Sequence, residues 1–207
     1  MMITAGTPRE GVLLTPGRLD ELRRTSAETG DPVMAACLRT LDDPLGEIFV
    51  EVTAPDDRRG AAFAVGHEIT AVVLSRSESD PELAPITGES VTAVLARTVG
   101  LGPAPYVDAP SLTVSEADID ALVTPPAEVS QALADHPVGS ALASHSWRLW
   151  RLEATRQDAG RAVPAGRLAV LGARSHGWWA LEESSEGAVL SPTTATALWR
   201  VLSGLLT

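Results

Sequence analysis

Residues 167–183 read RLAVLGARSHGWWALEE, two apolar runs separated by the polar turn ARSHG. Short runs of apolar and aromatic residues bounded by glycine are typical of strands. A short turn between two such runs joins neighbouring antiparallel strands, so this stretch predicts a β-hairpin. Successive side chains of a strand point to opposite faces of the sheet. The adjacent Trp178 and Trp179 are therefore predicted to lie on opposite faces.

The segments around this hairpin extend the prediction to the second half of the chain. Ser115 is predicted to cap the helix in VSEADIDALV, in a capping-box-like pattern with Asp118, and AEVSQALADH predicts another helix that ends before Pro137. The strand SWRLWRLEA and the turn TRQDAGRAVPAG precede the hairpin. The proline-bounded loop SSEGAVLSP follows it, and a closing helix is capped at Thr193 or Thr194. This half therefore reads helix, helix, three strands, helix.

The first half shows the same order of elements. Thr15 and Pro16 predict the start of a helix, Gly30 its end, and Asp31 the start of a second helix. Three strand-like runs follow, GEIFVEVT, AAFAVG and HEITAVVLS, with the turn APDDRRG between the first two. The proline-bounded loop SESDPELAP then leads to a helix predicted to be capped at Thr87.

The two halves are offset by a nearly constant number of residues. Thr15 corresponds to Ser115 and Ile48 to Arg148 at an offset of 100, and Thr87 corresponds to Thr193 at an offset of 106. Either an internal duplication or chance agreement between simple patterns explains this, and duplication is the interpretation adopted. The predicted domain organisation is one domain over 1–207, made of two pseudo-repeats at about 12–103 and 112–206, with a linker at about 100–113.

Hairpins dominate the predicted connections, which excludes a Rossmann arrangement. The predicted fold class is α+β, an antiparallel sheet with helical layers and a pseudo-two-fold internal duplication. Four of the five tryptophans fall in the sheet of the second half. Two hypotheses account for them: helices and the other half bury both faces of the sheet, or one outward ring of Trp178/Trp179 helps to bind a partner.

The composition limits the function classes. The formal net charge is −11, every basic residue is arginine, and Arg23–Arg24 and Arg58–Arg59 are the adjacent pairs. This balance argues against nucleic acid as a partner, because phosphate binding needs clustered positive charge. No apolar run is long enough for membrane insertion, and the start of the chain predicts no secretory signal. With one cysteine, Cys37, the chain has no internal disulfide. We therefore expect a cytoplasmic protein.

No catalytic or metal-binding motif stands out. The four histidines His67, His136, His145 and His176 form no HExxH pattern, and neither GxSxG nor a phosphate-binding glycine loop occurs. The sequence therefore predicts no catalytic residues, no metal site and no cofactor. Paired carboxylates need no sequence motif, so a small enzyme without a recognisable signature is kept as an alternative.

Two stretches together carry a resemblance to a known family. They are GRLAVLGARSHGWWALEESSEGAVLSPTTATALWRVLSGLL and RRGAAFAVGHEITAVVLSRSESDPELAPITGESVTAVLARTVGL. Both resemble the EspG family, cytoplasmic chaperones of type VII secretion in actinobacteria. The likeness is one of strand order and loop spacing over most of 12–206, although this chain is shorter than typical members. The resemblance implies a pseudo-two-fold α+β fold and a non-enzymatic chaperone or adaptor, monomeric or homodimeric. Its implied partner is a secreted helical protein, PE/PPE-like or WXG100-like.

The same resemblance suggests where a partner would bind. The implied contacts are the first hairpin turn, the matching turn Gln157–Arg161, an exposed ring of the tryptophan pair and the closing helix. The residues concerned are Asp56, Asp57, Arg58, Arg59, Trp178, Trp179 and Trp199. The alternative to a chaperone is an immunity or regulatory protein whose acidic surface covers a basic partner.

Overall fold

The computed structural model describes residues 14–76, 79–123, 131–185 and 187–205. The strands in these ranges are β1 Gly46–Ala54, β2 Asp57–Val65, β3 Ile69–Arg76, β4 Ser79–Thr87, β5 Leu112–Val114, β6 Arg148–Asp158, β7 Arg161–Gly172, β8 Trp178–Ser184 and β9 Gly187–Thr193. The α-helices are α1 Pro16–Thr29, α2 Pro32–Asp42, α3 Val91–Val99, α4 Glu116–Val123, α5 Gln131–Ala134, α6 Gly139–Ala143 and α7 Ala195–Gly204. Short 3₁₀ turns lie at Gly88–Ser90 and Arg174–His176.

The strands form one sheet in the order β4-β3-β2-β1-β6-β7-β8-β9-β5, and neighbouring strands are antiparallel throughout. β1 and β6 meet at the centre, where Val50 lies opposite Leu152. On each side of this pair the strands follow outward in chain order as far as β4 and β9. The predicted α+β class with a large antiparallel sheet and covering helices is confirmed.

Helices pack on both faces of the sheet. On the first face, α3 and α7 pack against a core that includes Ile48, Val50, Phe63, Leu95, Trp150, Leu152, Leu198 and Leu202. On the second face, Phe49 contacts α1, while Trp179 lies in a core with residues of α4, α5 and α6. Because neighbouring residues of a strand alternate between faces, Phe49 and Val50 belong to different cores.

The first two helices begin and end as the sequence predicts. The hydroxyl of Thr15 accepts a hydrogen bond from the amide of Arg18, and Gly30 ends α1 in the left-handed conformation at φ 66°. Asp31 then caps α2, since its carboxylate accepts hydrogen bonds from the amides of Val33 and Met34 at 2.9 and 3.1 Å. These bonds satisfy helix-terminal amides that have no partner within the helix.

The two proline-bounded loops were predicted wrongly. Most of SESDPELAP is strand β4, and most of SSEGAVLSP is strand β9, so each predicted meander has a fourth strand. Proline removes an amide donor and is tolerated where a strand has an open edge. Pro81 and Pro85 lie in β4, at the edge of the sheet, and Pro192 lies past the part of β9 that pairs with β5. Ser77, Glu78 and Glu186 lie outside the described residues.

Several predicted boundaries also change. The turns APDDRRG and TRQDAGRAVPAG are mostly strand, and the chain reverses at Pro55–Asp56 and at Ala159–Gly160. Thr87 precedes a 3₁₀ turn rather than capping α3, and its hydroxyl bonds to that of Ser90. Of the predicted helix AEVSQALADH, Gln131–Ala134 is helical, while the portion before residue 131 lies outside the described residues. α6 was not predicted.

The caps of the later helices follow the sequence more closely. Ser115 and Asp118 form the predicted reciprocal capping pair, with the Asp118 amide donating to the serine hydroxyl and the Ser115 amide donating to the aspartate. Between the two candidate caps of α7, the structure selects Thr194, whose hydroxyl accepts from the amide of Ala197 at 3.1 Å. None of the helices in the described ranges is long and apolar enough to span a bilayer.

Cys37 gives a direct test of packing on the second face. Its side chain is fully buried, and this burial raises the pKa of the thiol to about 11. A thiolate is the reactive form, so two pKa units slow the reaction at neutral pH by about 100-fold from ionisation alone. We expect a chromogenic disulfide reagent to label the native protein at least that much more slowly than the urea-unfolded protein. Equal rates would contradict the packing of α2 against β3.

Candidate functional site

A cleft of about 460 Å³ opens at one end of the central strand pair. Its walls come from the β1–β2 turn, the residues after α3, the segment entering β6, and the link between β7 and β8. The polar side chains that line it are Asp56, Asp57, His145, Ser146, Arg148 and Arg174, and the rings are those of Trp147 and Trp178. Antiparallel pairing of β1 with β6 brings the end of one beside the start of the other, which places the two halves of the chain in one cleft.

Backbone strain concentrates in this cleft. Among the described residues other than glycine, positive φ occurs at His145 (54°), Arg174 (21°) and Ala159 (48°), and the first two line the cleft. Gly100 and Gly177, also in its walls, have φ of 65° and 78°. Left-handed backbone is unfavourable for residues with a β-carbon and is characteristically found at binding and catalytic sites. This clustering marks the cleft as the candidate site.

Arg148, the first residue of β6, lines the cleft. Its guanidinium lies against Gly100, where any β-carbon would collide with it. Nη1 donates to the carbonyl of Val99, at the C-terminal end of α3, over 3.5 Å. Cationic groups are favourable at this end of a helix because its last carbonyls have no partner. The absence of a side chain at residue 100 is therefore what lets Arg148 lie beneath the helix end.

Charges of both signs lie near Arg148. Burial lowers the pKa of its guanidinium below the ordinary value. The nearby charges of Arg59 and, more weakly, Arg174 lower this pKa further, whereas the carboxylate of Asp57 raises it. An arginine stays protonated at neutral pH even so. Asp57 lies 3.7 Å from the Nε of Arg59, so that carboxylate is shared with a second arginine. Arg148 is thus a partly buried cation with incomplete compensation.

Trp178, the first residue of β8, also lines the cleft. Its ring covers Gly172, and its Nε1 donates to the carbonyl of Gly102 at 3.1 Å, which attaches the segment after α3 to the sheet. On the other face, the Nε1 of Trp179 donates to the carbonyl of His176 at 2.7 Å. The edge-to-face contact of Trp179 with His136 has a centroid distance of 4.9 Å. Both rings thus have a polar partner and a packed environment.

The hypothesis of an exposed ring in this pair is therefore wrong. Trp178 is 7% exposed and Trp179 is fully buried, because the first-face core encloses one ring and the second-face core encloses the other. Trp147 and Trp150 are likewise buried on opposite faces, as expected from their spacing. The other hypothesis, a sheet buried on both sides, describes these rings correctly.

The other predicted contacts lie in two places. Asp56 and Asp57 line the cleft, whereas Arg58 forms an ion pair with Glu51 and Arg59 lies partly buried beside Asp57. Trp199 lies on α7 and is 44% exposed. In the matching turn Gln157–Arg161 all five residues are exposed. Their role in partner binding stays a prediction.

The sequence did not single out Arg148 or Arg174 as site residues, and it named His145 only as one of three histidines, with His67 and His176, on which the pocket of a small enzyme would converge. The two arginines and His145 are separated along the chain from Asp57 and Gly100, and no spacing motif connects them. The glycines at 100, 172 and 177 were a usable signal, since each permits close approach of a side chain or of neighbouring backbone. Without the pairing of β1 and β6, however, nothing in the sequence relates them to one another.

His176 has a different environment. Its Nε2 lies 3.0 Å from the hydroxyl of Ser140, and its Nδ1 lies 3.0 Å from that of Ser175. In a serine hydrolase the nucleophilic serine bonds to Nε2 of the histidine, and a carboxylate, not a second serine, bonds to Nδ1. This chain of hydrogen bonds thus lacks that element of a triad and joins α6 to the β7–β8 link. In the described ranges, no three His, Cys, Asp or Glu side chains converge as a metal site.

Comparison of the chain with protein-family models gives no match, and comparison with curated proteins gives none either.

Proposed function

We propose that this protein is a non-enzymatic, cytoplasmic chaperone or adaptor that binds a secreted helical protein of a type VII secretion system. We further propose that its two halves, about 12–103 and 112–206, are pseudo-repeats related by an approximate two-fold axis, as in the EspG family. The observation that carries the proposal is the strand order on either side of the β1–β6 pair. It is the arrangement that a duplicated unit would produce by pairing its two first strands.

The closing helices fit the same interpretation. β1–β4 are followed by α3, and β6–β9 are followed by α7, and both helices pack on the first face of the sheet. A duplicated unit predicts this equivalence. Among the described strands, β5 pairs with β9 and none pairs with the outer side of β4. β5 follows the linker and extends only one end of the sheet.

The proposed partner surface includes the outer side of α7. Trp199 and Val201 are 44% and 46% exposed there, while Leu198 and Leu202 on the same helix are buried. Helical partners bind through apolar side chains at helical spacing, and tryptophan contributes strongly at interface centres. The exposed tryptophan of α7 therefore suits a contact with the apolar side of a client helix.

Co-expression with a secreted helical protein encoded in the same gene neighbourhood tests the proposal. We expect a soluble complex that co-purifies, because the chaperone covers the aggregation-prone end of the client. Trp199→Arg should weaken the complex at least about tenfold, as expected for loss of a central aromatic contact. Val33→Arg is the matched control, since Val33 is 47% exposed on α2, which packs on the second face.

The outcomes separate the alternatives. A client that stays insoluble and never co-purifies would overturn the chaperone proposal. An equal effect of Trp199→Arg and Val33→Arg would overturn the assignment of α7 to the partner surface. The net charge of −11 favours a second candidate, an immunity or regulatory protein that covers a basic partner. Binding that disappears steeply with added salt would favour that candidate, because screening weakens charge pairing between exposed groups.

A further inference from the structure

We propose that the cleft at the end of β1 and β6 binds an oxyanion, a carboxylate or phosphate group, held by the guanidinium groups of Arg148 and Arg174. The ligand class is a small anionic molecule or the carboxylate end of a peptide. This inference does not rest on the chaperone role, and it assigns a function to side chains that the partner surface leaves unused.

Arg148 has the donors for such a ligand. A guanidinium carries five N–H donors in a planar fork that matches two oxygens of a carboxylate or phosphate. In the described part of the chain, Arg148 makes one long hydrogen bond, to the carbonyl of Val99, and no carboxylate lies within ion-pair distance of it. The other N–H groups of Arg148 can therefore donate to an oxyanion in the cleft.

The arginines of the cleft have no ion-pair partner among the described residues. Arg148 and Arg174 line it together with the carboxylates of Asp56 and Asp57, so the formal charges of the lining cancel in a chain whose formal net charge is −11. Asp57 lies beside Arg59, and in the described ranges no carboxylate lies within ion-pair distance of Arg148 or Arg174. An oxyanion can therefore reach both guanidinium groups without displacing a carboxylate.

The shape of the cleft is that of a binding site. Its volume of about 460 Å³ lies within the range of about 300–1,000 Å³ typical of small-molecule sites. Trp147 and Trp178 line it but are only 5% and 7% exposed, so more than half of the surface it offers is polar. His145 and Arg174 lie in its lining with positive φ. Placed polar groups, here the two arginines, are what orient a ligand.

Titration calorimetry on the full chain tests the inference with three probes. They are inorganic phosphate, a short peptide with a free C-terminal carboxylate, and the same peptide with a C-terminal amide. We expect phosphate or the free peptide to bind, and the amide to bind at least about tenfold more weakly than the free peptide if the peptide end is the ligand. Binding of phosphate alone identifies a phosphate-bearing ligand.

Variants locate the binding site. Arg148→Gln should weaken binding by about 10- to 100-fold, the effect of losing hydrogen bonds to a charged group. Arg174→Gln should weaken it too, and this residue is exposed, so the variant keeps its fold. Arg39→Gln carries the same charge change on α2, which packs on the second face, and should alter binding less than about twofold.

Two results would overturn the inference. The first is the absence of binding by phosphate and by the free peptide at millimolar concentration. The second is an equal loss in Arg39→Gln and in both cleft variants, which would indicate attraction by overall charge. Circular dichroism of each variant verifies that a loss of binding is not a loss of fold, and Arg174→Gln decides the outcome if Arg148→Gln unfolds.

Discussion

Trp179→Ala is expected to lower the free energy of unfolding by about 3–5 kcal/mol, the range measured when a large buried aromatic is truncated to alanine. Trp179 is fully buried in the second-face core with Leu171, Leu142 and Ile119. Its removal leaves a cavity between β8 and the helices of the second half. It also deprives the carbonyl of His176 of its hydrogen bond from the indole. Urea unfolding followed by circular dichroism measures the change.

Trp199→Ala is the matched control for this prediction. It removes the same side chain from α7, where 44% of it is exposed, so little cavity forms and the loss should be below about 1 kcal/mol. A loss for Trp179→Ala no greater than that of Trp199→Ala would contradict the burial of the tryptophan pair. The slope of the unfolding curve should stay the same in both, since neither change alters the surface exposed on unfolding by much.

Gly177→Ala is expected to have the next largest effect. Gly177 has φ 78° and ψ −160°, a region that is essentially restricted to glycine. An alanine there costs about 1–3 kcal/mol in backbone strain. Its β-carbon would also lie 2.7 Å from the carbonyl oxygen of Pro105, which must move to make room. We expect a loss of at least about 2 kcal/mol in the free energy of unfolding, measured in urea.

Gly102→Ala tests whether the effect at Gly177 is specific. Gly102 lines the same cleft, but a β-carbon there would meet nothing within 4 Å, and its backbone is not left-handed. We expect the stability of this variant to lie within about 0.5 kcal/mol of the parent. If Gly177→Ala were equally harmless, the conformation between the 3₁₀ turn and β8 would not be the one described.

The two tryptophans show how far the sequence alone reaches. Their adjacency in a strand predicts opposite faces, because the side-chain period of a strand is two, and the structure places Trp178 and Trp179 in different cores. Adjacency says nothing about what covers each face. That depends on α7, α3 and the helices of the second half, whose packing on the sheet is not encoded within the hairpin.

The missed strands have a related cause. Pro81 and Pro85 in β4 suggest a loop when the sequence is taken alone, since proline disrupts a central strand. At the edge of a sheet one row of amides needs no partner, so the same residues are tolerated. Whether a segment is central or at an edge is a property of the whole sheet, and β4 is the last strand in its order.

The sequence by itself determined the class of this protein and its local signals. The alternation of apolar residues, the caps at Thr15, Asp31 and Ser115, and the stop at Gly30 arise from contacts between residues a few positions apart. Only the tertiary structure shows where the cleft lies and which residues line it. Asp57, Gly100, Arg148 and Arg174 are distant in the chain, and they meet because β1 pairs antiparallel with β6. Long-range pairing depends on the packing of the whole sheet, which no local pattern specifies.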